Sequence, residues 1–150
     1  MTSARYCAAV VVLVLASASA AHAQQPSPAG RIKIVSGAAF IVRENKLVPA
    51  KVGQDVYTAD AVRTGADGRI GVMLKDDTRI SLGPGSEVRL DRFDYATADG
   101  TLALVLKIVR GAAAYVSGRI AKLAPDAVRL ETPAAIVGVR GTTLAILVAP

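Results

Sequence analysis

Carboxylates are the only side chains here that pair closely enough for acid–base chemistry. Asp76 and Asp77 are adjacent, and Asp91 and Asp94 lie three positions apart. Two such groups facing each other could hydrolyse a glycosidic bond, and several could hold calcium. Neither pair has the right setting. Asp76-Asp77 falls where a hairpin turn is expected, and adjacent turn aspartates are usually solvated. Asp91-Arg92-Phe93-Asp94 reads as a strand end with self-paired charges, whereas a calcium loop wants regularly spaced oxygens. Gly83-Pro84-Gly85-Ser86 and the Gly138/Gly141 pair could be taken for phosphate loops. No helix is expected after either one to hold an anion at its N-terminus. These glycines are expected in turns and bulges.

The single cysteine, Cys7, and the single histidine, His22, both lie in the first 23 residues. That stretch has the anatomy of a secretory signal: Arg5 as a positive start, an apolar run from Ala8 to Ala16, and Ala21-His22-Ala23 as a small-x-small cleavage site before Gln24. The run is shorter than the roughly 20 apolar residues a spanning helix needs. Cys7 precedes most of it, so it is not placed as a lipid acceptor. Cleavage near Ala23/Gln24 would leave a chain without Cys, His or Trp. Such a chain cannot build a Ser-His-Asp triad, a thiol nucleophile, or the usual zinc, haem or iron–sulfur sites. No catalytic residue, metal site or cofactor is therefore expected, and the protein is expected to be non-enzymatic. An export signal without disulfides also leaves stability to packing alone.

Lys and Arg number 18 against 12 Asp and Glu, a formal charge of +6. The cations are spread along the chain and mixed with acids. Few aromatics accompany them: Tyr57, Phe93, Tyr95 and Tyr115. Nucleic-acid recognition would need clustering and stacking platforms, so no nucleic-acid partner is expected. In the envelope, a positive surface would meet lipopolysaccharide headgroups, peptidoglycan carboxylates or an acidic protein.

These residues must be positioned by strands. Ile70, Val72 and Leu74 alternate with Arg69, Gly71, Met73 and Lys75. Ile80 and Leu82 alternate with Arg79 and Ser81, and Val88 and Leu90 with Glu87, Arg89 and Asp91. Leu102, Leu104, Leu106 and Ile108 continue the pattern, and Ile32 and Ile34 oppose Arg31 and Lys33. Period-two alternation marks strands with one buried and one wet face. Turn formers separate them: Asp67-Gly68, Asp76-Asp77, Gly83-Pro84-Gly85 and Asp99-Gly100. One all-β domain follows, either a single twisted β-sandwich or a short β-solenoid-like unit, since no strict repeat is present. The expected organisation is a signal peptide over 1–23, a Pro-rich leader and first strand over 24–36, and the all-β domain over 37–148. Arg119 to Asp126 is the one candidate for a helical turn. No segment after residue 23 is long and apolar enough to span a membrane.

The stretch Thr132 to Val148 is apolar and β-branched, and its parity shifts. Val137 and Val139 share one face, while Leu144, Ile146 and Val148 have the opposite parity. Both sets can face one core only through an inserted residue, and Gly141 is the natural place for that bulge. The alternative is a strand buried on both faces. Arg140, between the glycines, is either an exposed recognition residue or, the favoured reading, an internal brace on a carboxylate such as Glu131. Thr142 and Thr143 would then satisfy the distorted ladder.

Three segments of this chain resemble the FecR domain, the periplasmic part of the iron-dicitrate regulator family. They are Thr132-Pro133-Ala134-Ala135-Ile136-Val137-Gly138-Val139-Arg140-Gly141-Thr142, then Val62-Arg63-Thr64-Gly65-Ala66-Asp67-Gly68-Arg69-Ile70, and Asp76-Asp77-Thr78-Arg79-Ile80-Ser81-Leu82-Gly83-Pro84-Gly85-Ser86. Likeness runs from about Gly37 to Val148. It implies a twisted all-β domain that works through protein–protein contacts, with Thr64, Gly65, Gly138, Arg140, Gly141 and Thr142 as signature positions of structural or interaction value. Regulators of that family carry a cytoplasmic anti-sigma segment and a transmembrane helix ahead of the domain. Neither precedes it here, so a direct sigma-factor role is not expected. The expected role is a periplasmic or secreted interaction, sensory or scaffold module with an envelope protein as partner. A module for envelope glycan or anionic polymer, peptidoglycan or lipopolysaccharide, is the competing expectation. It would require Tyr57, Tyr95 and Tyr115 on one surface.

Overall fold

The computed structural model describes residues 25–141 and 143–149. The signal-peptide expectation for residues 1–23 and the candidate Thr142 lie outside the described residues. Among the described residues, twelve strands join into one continuous, mostly antiparallel sheet, so the all-β expectation is met. The strands are β1 (Gly30–Ser36), β2 (Ala39–Arg43), β3 (Lys46–Pro49), β4 (Asp55–Val56), β5 (Ala61–Thr64), β6 (Arg69–Leu74), β7 (Arg79–Leu82), β8 (Glu87–Ala96), β9 (Thr101–Val116), β10 (Val128–Glu131), β11 (Ile136–Gly138) and β12 (Thr143–Val148). A short helix, α1 (Arg119–Leu123), and a 3-10 turn, Pro125–Ala127, fill the stretch where a helical turn was expected.

The long strand β9 organises the rest. The order β3-β2-β5-β8-β9-β7-β6-β1-β4 runs through it. Its first part pairs with β8 and, in parallel, with β10; its last part pairs with β7 and β12. The sheet thereby has two wings that share β9 and curl so that their inner faces meet. One wing is β12-β9-β7-β6-β1-β4, and the other holds β3, β2, β5, β8, β10 and β11. Ile32, Val72, Ile80 and Tyr115 from the first wing share a single core with Ile41, Val88, Leu106 and Leu130 from the second. This curled sheet closes one core without regular solenoid coils.

Alternation places the core strands as expected, with one exception. Ile32 is fully buried, yet Ile34, of the same parity, is 62% exposed. Register between β1 and β6 shifts between Ile32 and Ile34, which pair with Val72 and Gly71. The extra residue reverses the facing, so Val35 turns inward in place of Ile34.

Candidate functional site

Thr64 and Gly65 build the corner where the wings part. The Thr64 hydroxyl donates to the Gly83 carbonyl at 2.7 Å and accepts the Ser86 amide at 2.9 Å. The Ser86 hydroxyl accepts the Ala112 amide at 2.9 Å and lies 3.1 Å from the Ala112 carbonyl. Gly65 donates to the Ala38 carbonyl, while its own carbonyl accepts the amides of Gly68 and Gly85. Between Arg110 and Ala112, Gly111 has φ +79° and lies so close to Ser86 that an added Cβ would stand 2.6 Å from the Ser86 Cα and 2.8 Å from the Gly85 carbonyl. A side chain there would have to strain the backbone and displace the corner. Thr64 and Ser86 are both buried, so this part of the signature is an internal joint.

The C-terminal stretch is two strands on two wings. β11 pairs with β10, and β12 pairs with β9. The expected single bulged strand is therefore corrected: the parity shift is a crossover between wings rather than an insertion at Gly141. The underlying requirement still holds. Val139 is core, and Val137, Leu144, Ile146 and Val148 pack against it. Burial on both faces fails, since Ile136 is 67% and Leu147 78% exposed. Thr132 closes the β10–β11 turn by accepting the Ala135 amide on its hydroxyl at 3.0 Å.

Gly138, Arg140 and Gly141 sit at or beyond the end of β11, all exposed. The internal brace is corrected as well. Once the chain leaves β11, the Arg140 side chain projects outward at 87% exposure, and its nearest carboxylate is Asp126, 3.8 Å away and itself 95% exposed. Such a pair has little strength in water. With Pro125, Asp126, Arg129 and Ile136, Arg140 borders an open groove of about 410 Å³.

The carboxylates are committed elsewhere. Asp76 corrects the solvated-turn expectation because it is completely buried. Its carboxylate accepts the Thr78 amide at 3.1 Å, the Thr78 hydroxyl at 2.7 Å and the Ile120 amide at 3.3 Å, while its carbonyl accepts the Arg119 amide. It thus pins α1 to the β6–β7 hairpin. Gly118 makes this possible, since a Cβ there would meet the Thr78 hydroxyl at 2.6 Å. Asp77 points into solvent beside Arg119, 3.0 Å away. Asp91 pairs with Arg89, and Asp94 with Arg92 at 2.6 Å, matching the self-paired reading. Hydrogen bonding to Asp91 also raises the pKa of Arg89. Among the described residues, no group of three or more His, Cys, Asp or Glu is placed to hold a metal.

Asp60 was missed from the sequence. It is buried, accepts the Arg43 guanidinium at 2.7 and 2.9 Å, and accepts the Tyr57 amide. This contact raises the Arg43 pKa against the opposing effect of burial. Arg43 also lies 4.6 Å over the Tyr57 ring. The tyrosines occupy three separate settings: Tyr57 under Arg43, Tyr95 against Phe93, and Tyr115 in the core. A shared stacking platform for sugars is not assembled. Burial pushes the Tyr115 phenol pKa up. Its hydroxyl has no well-formed hydrogen bond, although the Thr78 and Ser117 hydroxyls, which donate to Asp76 and to the Gly141 carbonyl, are its neighbours.

Sheet edges remain. β3 carries Lys46 and Pro49, β4 is two residues long with Asp55 paired to Arg31, and β11 is three residues long. Charge, proline and shortness each blunt an edge against further pairing. β12, Thr-Leu-Ala-Ile-Leu-Val, has none of these devices and, among the described residues, pairs only with β9. Its inward residues Leu144, Ile146 and Val148 are only partly covered. No helix among the described residues is long and apolar enough to cross a membrane.

Compared with known proteins, the chain matches the family model described as FecR protein over residues 60–149. The match begins after β4, so the first four strands of the sheet precede it. No curated protein and no solved structure matches the chain.

Proposed function

The chain belongs to the FecR family, and from that premise we propose that it is a non-enzymatic sensory and scaffold module of the cell envelope, acting in the periplasm or outside the cell after processing near Ala23. It engages an envelope protein by accepting one of that protein's strands along β12. The observation that carries this reading is the unblunted β12 edge, the one among the four edge strands of the described residues with neither charge, proline nor brevity to protect it. An added strand finds a row of backbone donors and acceptors there. Apolar side chains on alternate residues of that strand would extend the cover over Leu144, Ile146 and Val148. Arg140 and the groove beside β11 lie next to this edge in the chain and supply polar selectivity.

The test is crosslinking capture from the native envelope with three baits: wild type, Ala145→Lys/Leu147→Lys, and Arg140→Ala. Both lysines would replace exposed residues and blunt the edge without touching the core. One specific envelope protein should be recovered by wild type, lost with the double variant, and weakened with Arg140→Ala. Equal recovery by the double variant refutes strand addition at β12.

A further inference from the structure

The outer faces of the two wings treat charge differently. On the β8–β9 wing most of the outward cations are paired in place, Lys46, Lys107 and Arg129 excepted: Arg63 and Arg110 flank Glu87 at 3.0 and 3.6 Å, and Arg89 and Arg92 pair with Asp91 and Asp94. On the outer face of the other wing, Lys33, Arg69, Lys75 and Arg79 are exposed. None of them has an ion-pair partner among the described residues. Lys33 and Lys75 share a shallow hollow with Arg31 and Met73. Asp55 and Asp77 lie there too, already paired with Arg31 and Arg119.

Register shows what else shares this face. Ile34 lies opposite Gly71, Gly71 opposite Ser81, Ser81 opposite Ala114, and Ala114 opposite Ala145. Leu147, two residues beyond Ala145, points the same way. The face is thus a smooth plate of small residues with Ile34 at one side and Leu147 at the other, 62% and 78% exposed. Ile34 is outside because of the β1 bulge, against its own alternation. A bulge that re-aims an isoleucine into water beside uncompensated cations forgoes burial that Ile32 obtains two residues earlier.

We propose that this plate docks on an anionic phospholipid bilayer, with the four cations over lipid phosphates and Ile34 and Leu147 entering the headgroup–acyl boundary. Charge complementarity selects an anionic surface, and the spread of unpaired cations from β1 across β6 to β7 selects an extended one. A protein partner would look for an aromatic anchor in an apolar pocket, and among the described residues this face offers no aromatic side chain and only the shallow, charge-lined hollow at Lys33 and Lys75. Aliphatic insertion selects a bilayer over a glycan-covered lipid, whose sugars would hold the plate away from the acyl region. Strand addition at the β12 edge leaves the plate free, so the two contacts are compatible.

The chain has no tryptophan, so Ile34→Trp in the full chain creates a single reporter at the plate. Its emission should shift blue with phosphatidylglycerol vesicles and not with phosphatidylcholine vesicles, and the shift should vanish at about 1 M salt. Adding Lys75→Gln/Arg79→Gln should weaken vesicle affinity about thirty-fold, at roughly fivefold per cation. Arg110→Gln/Arg129→Gln, on the other wing, should leave affinity unchanged. No shift with phosphatidylglycerol, equal loss in both double variants, or a shift confined to lipid A dispersions would each overturn the proposal.

Discussion

Replacing Asp76 and replacing Asp77 should have sharply different consequences, although the residues are neighbours of the same type in one hairpin. Asp76→Ala removes the acceptor for the Thr78 amide, the Thr78 hydroxyl and the Ile120 amide. The hydroxyl can rotate toward another acceptor, but the two amides are left buried and unpaired. Each orphaned donor costs about 1–3 kcal/mol, with charge-assisted bonds toward the upper end. The Ile120 bond is long at 3.3 Å and belongs at the lower end. A total of about 3–5 kcal/mol follows, a large share of the roughly 5–15 kcal/mol that holds an ordinary domain together. At roughly 4 °C per kcal/mol, Tm should fall by about 12–20 °C. Asp76→Asn keeps one acceptor oxygen and turns an amide toward the Ile120 N–H, so its loss should be about 1–2 kcal/mol. Asp77→Ala removes a solvent-exposed partner of Arg119 and places alanine at φ +68°, so its loss should stay at or below about 1 kcal/mol. Urea unfolding followed by far-UV circular dichroism measures all three, and hydrogen exchange at the Ile120 amide locates the damage. A loss below about 1 kcal/mol for Asp76→Ala, or equal losses for Asp76→Ala and Asp77→Ala, would refute the anchoring of α1 through this carboxylate.

Two further outcomes follow from buried positions. Tyr115→Phe should be neutral or stabilising by up to about 1 kcal/mol, since the hydroxyl it removes is buried without a good partner. Because burial raises the Tyr115 pKa in the folded chain, the unfolded chain releases its phenolic proton first. Wild-type stability should then decline as pH rises above about 10, the unfolded tyrosine value. Tyr115→Phe should flatten that decline in urea titrations at alkaline pH, and an unchanged slope would count against burial as the cause. Gly111→Ala must place a methyl against Ser86 and the Gly85 carbonyl at φ +79°. It should cost about 3 kcal/mol or more by thermal unfolding; a loss under about 1 kcal/mol would mean that the corner is not tight.

Legibility in the sequence followed the range of the interactions involved. Alternation is local, so the strands with one wet face could be read directly, and β6, β7 and β8 bury the residues whose parity said they would. A bulge leaves no mark in composition, which is why Ile34 was placed with Ile32. Asp76 was hidden for a different reason. Solvation is the right prior for paired turn aspartates, and what reverses it is α1, 44 residues later in the chain. Asp-x-Thr is a local signal for a side chain folding back on its own turn, but it says nothing of what then packs on top. Parity in the stretch Thr132 to Val148 was more informative than its interpretation. Two apolar sets of opposite phase must both reach the core, and a bulge is the solution if the chain stays in one sheet. Here it does not: β11 closes one wing and β12 edges the other. Gly138 ends β11, and the segment that joins the two strands carries Arg140 and Gly141, exposed because a chain passing between wings has left both ladders. Glycines and an arginine in such a passage are open to contact from outside, and the strand that follows them, β12, is the one described edge without charge, proline or brevity to blunt it.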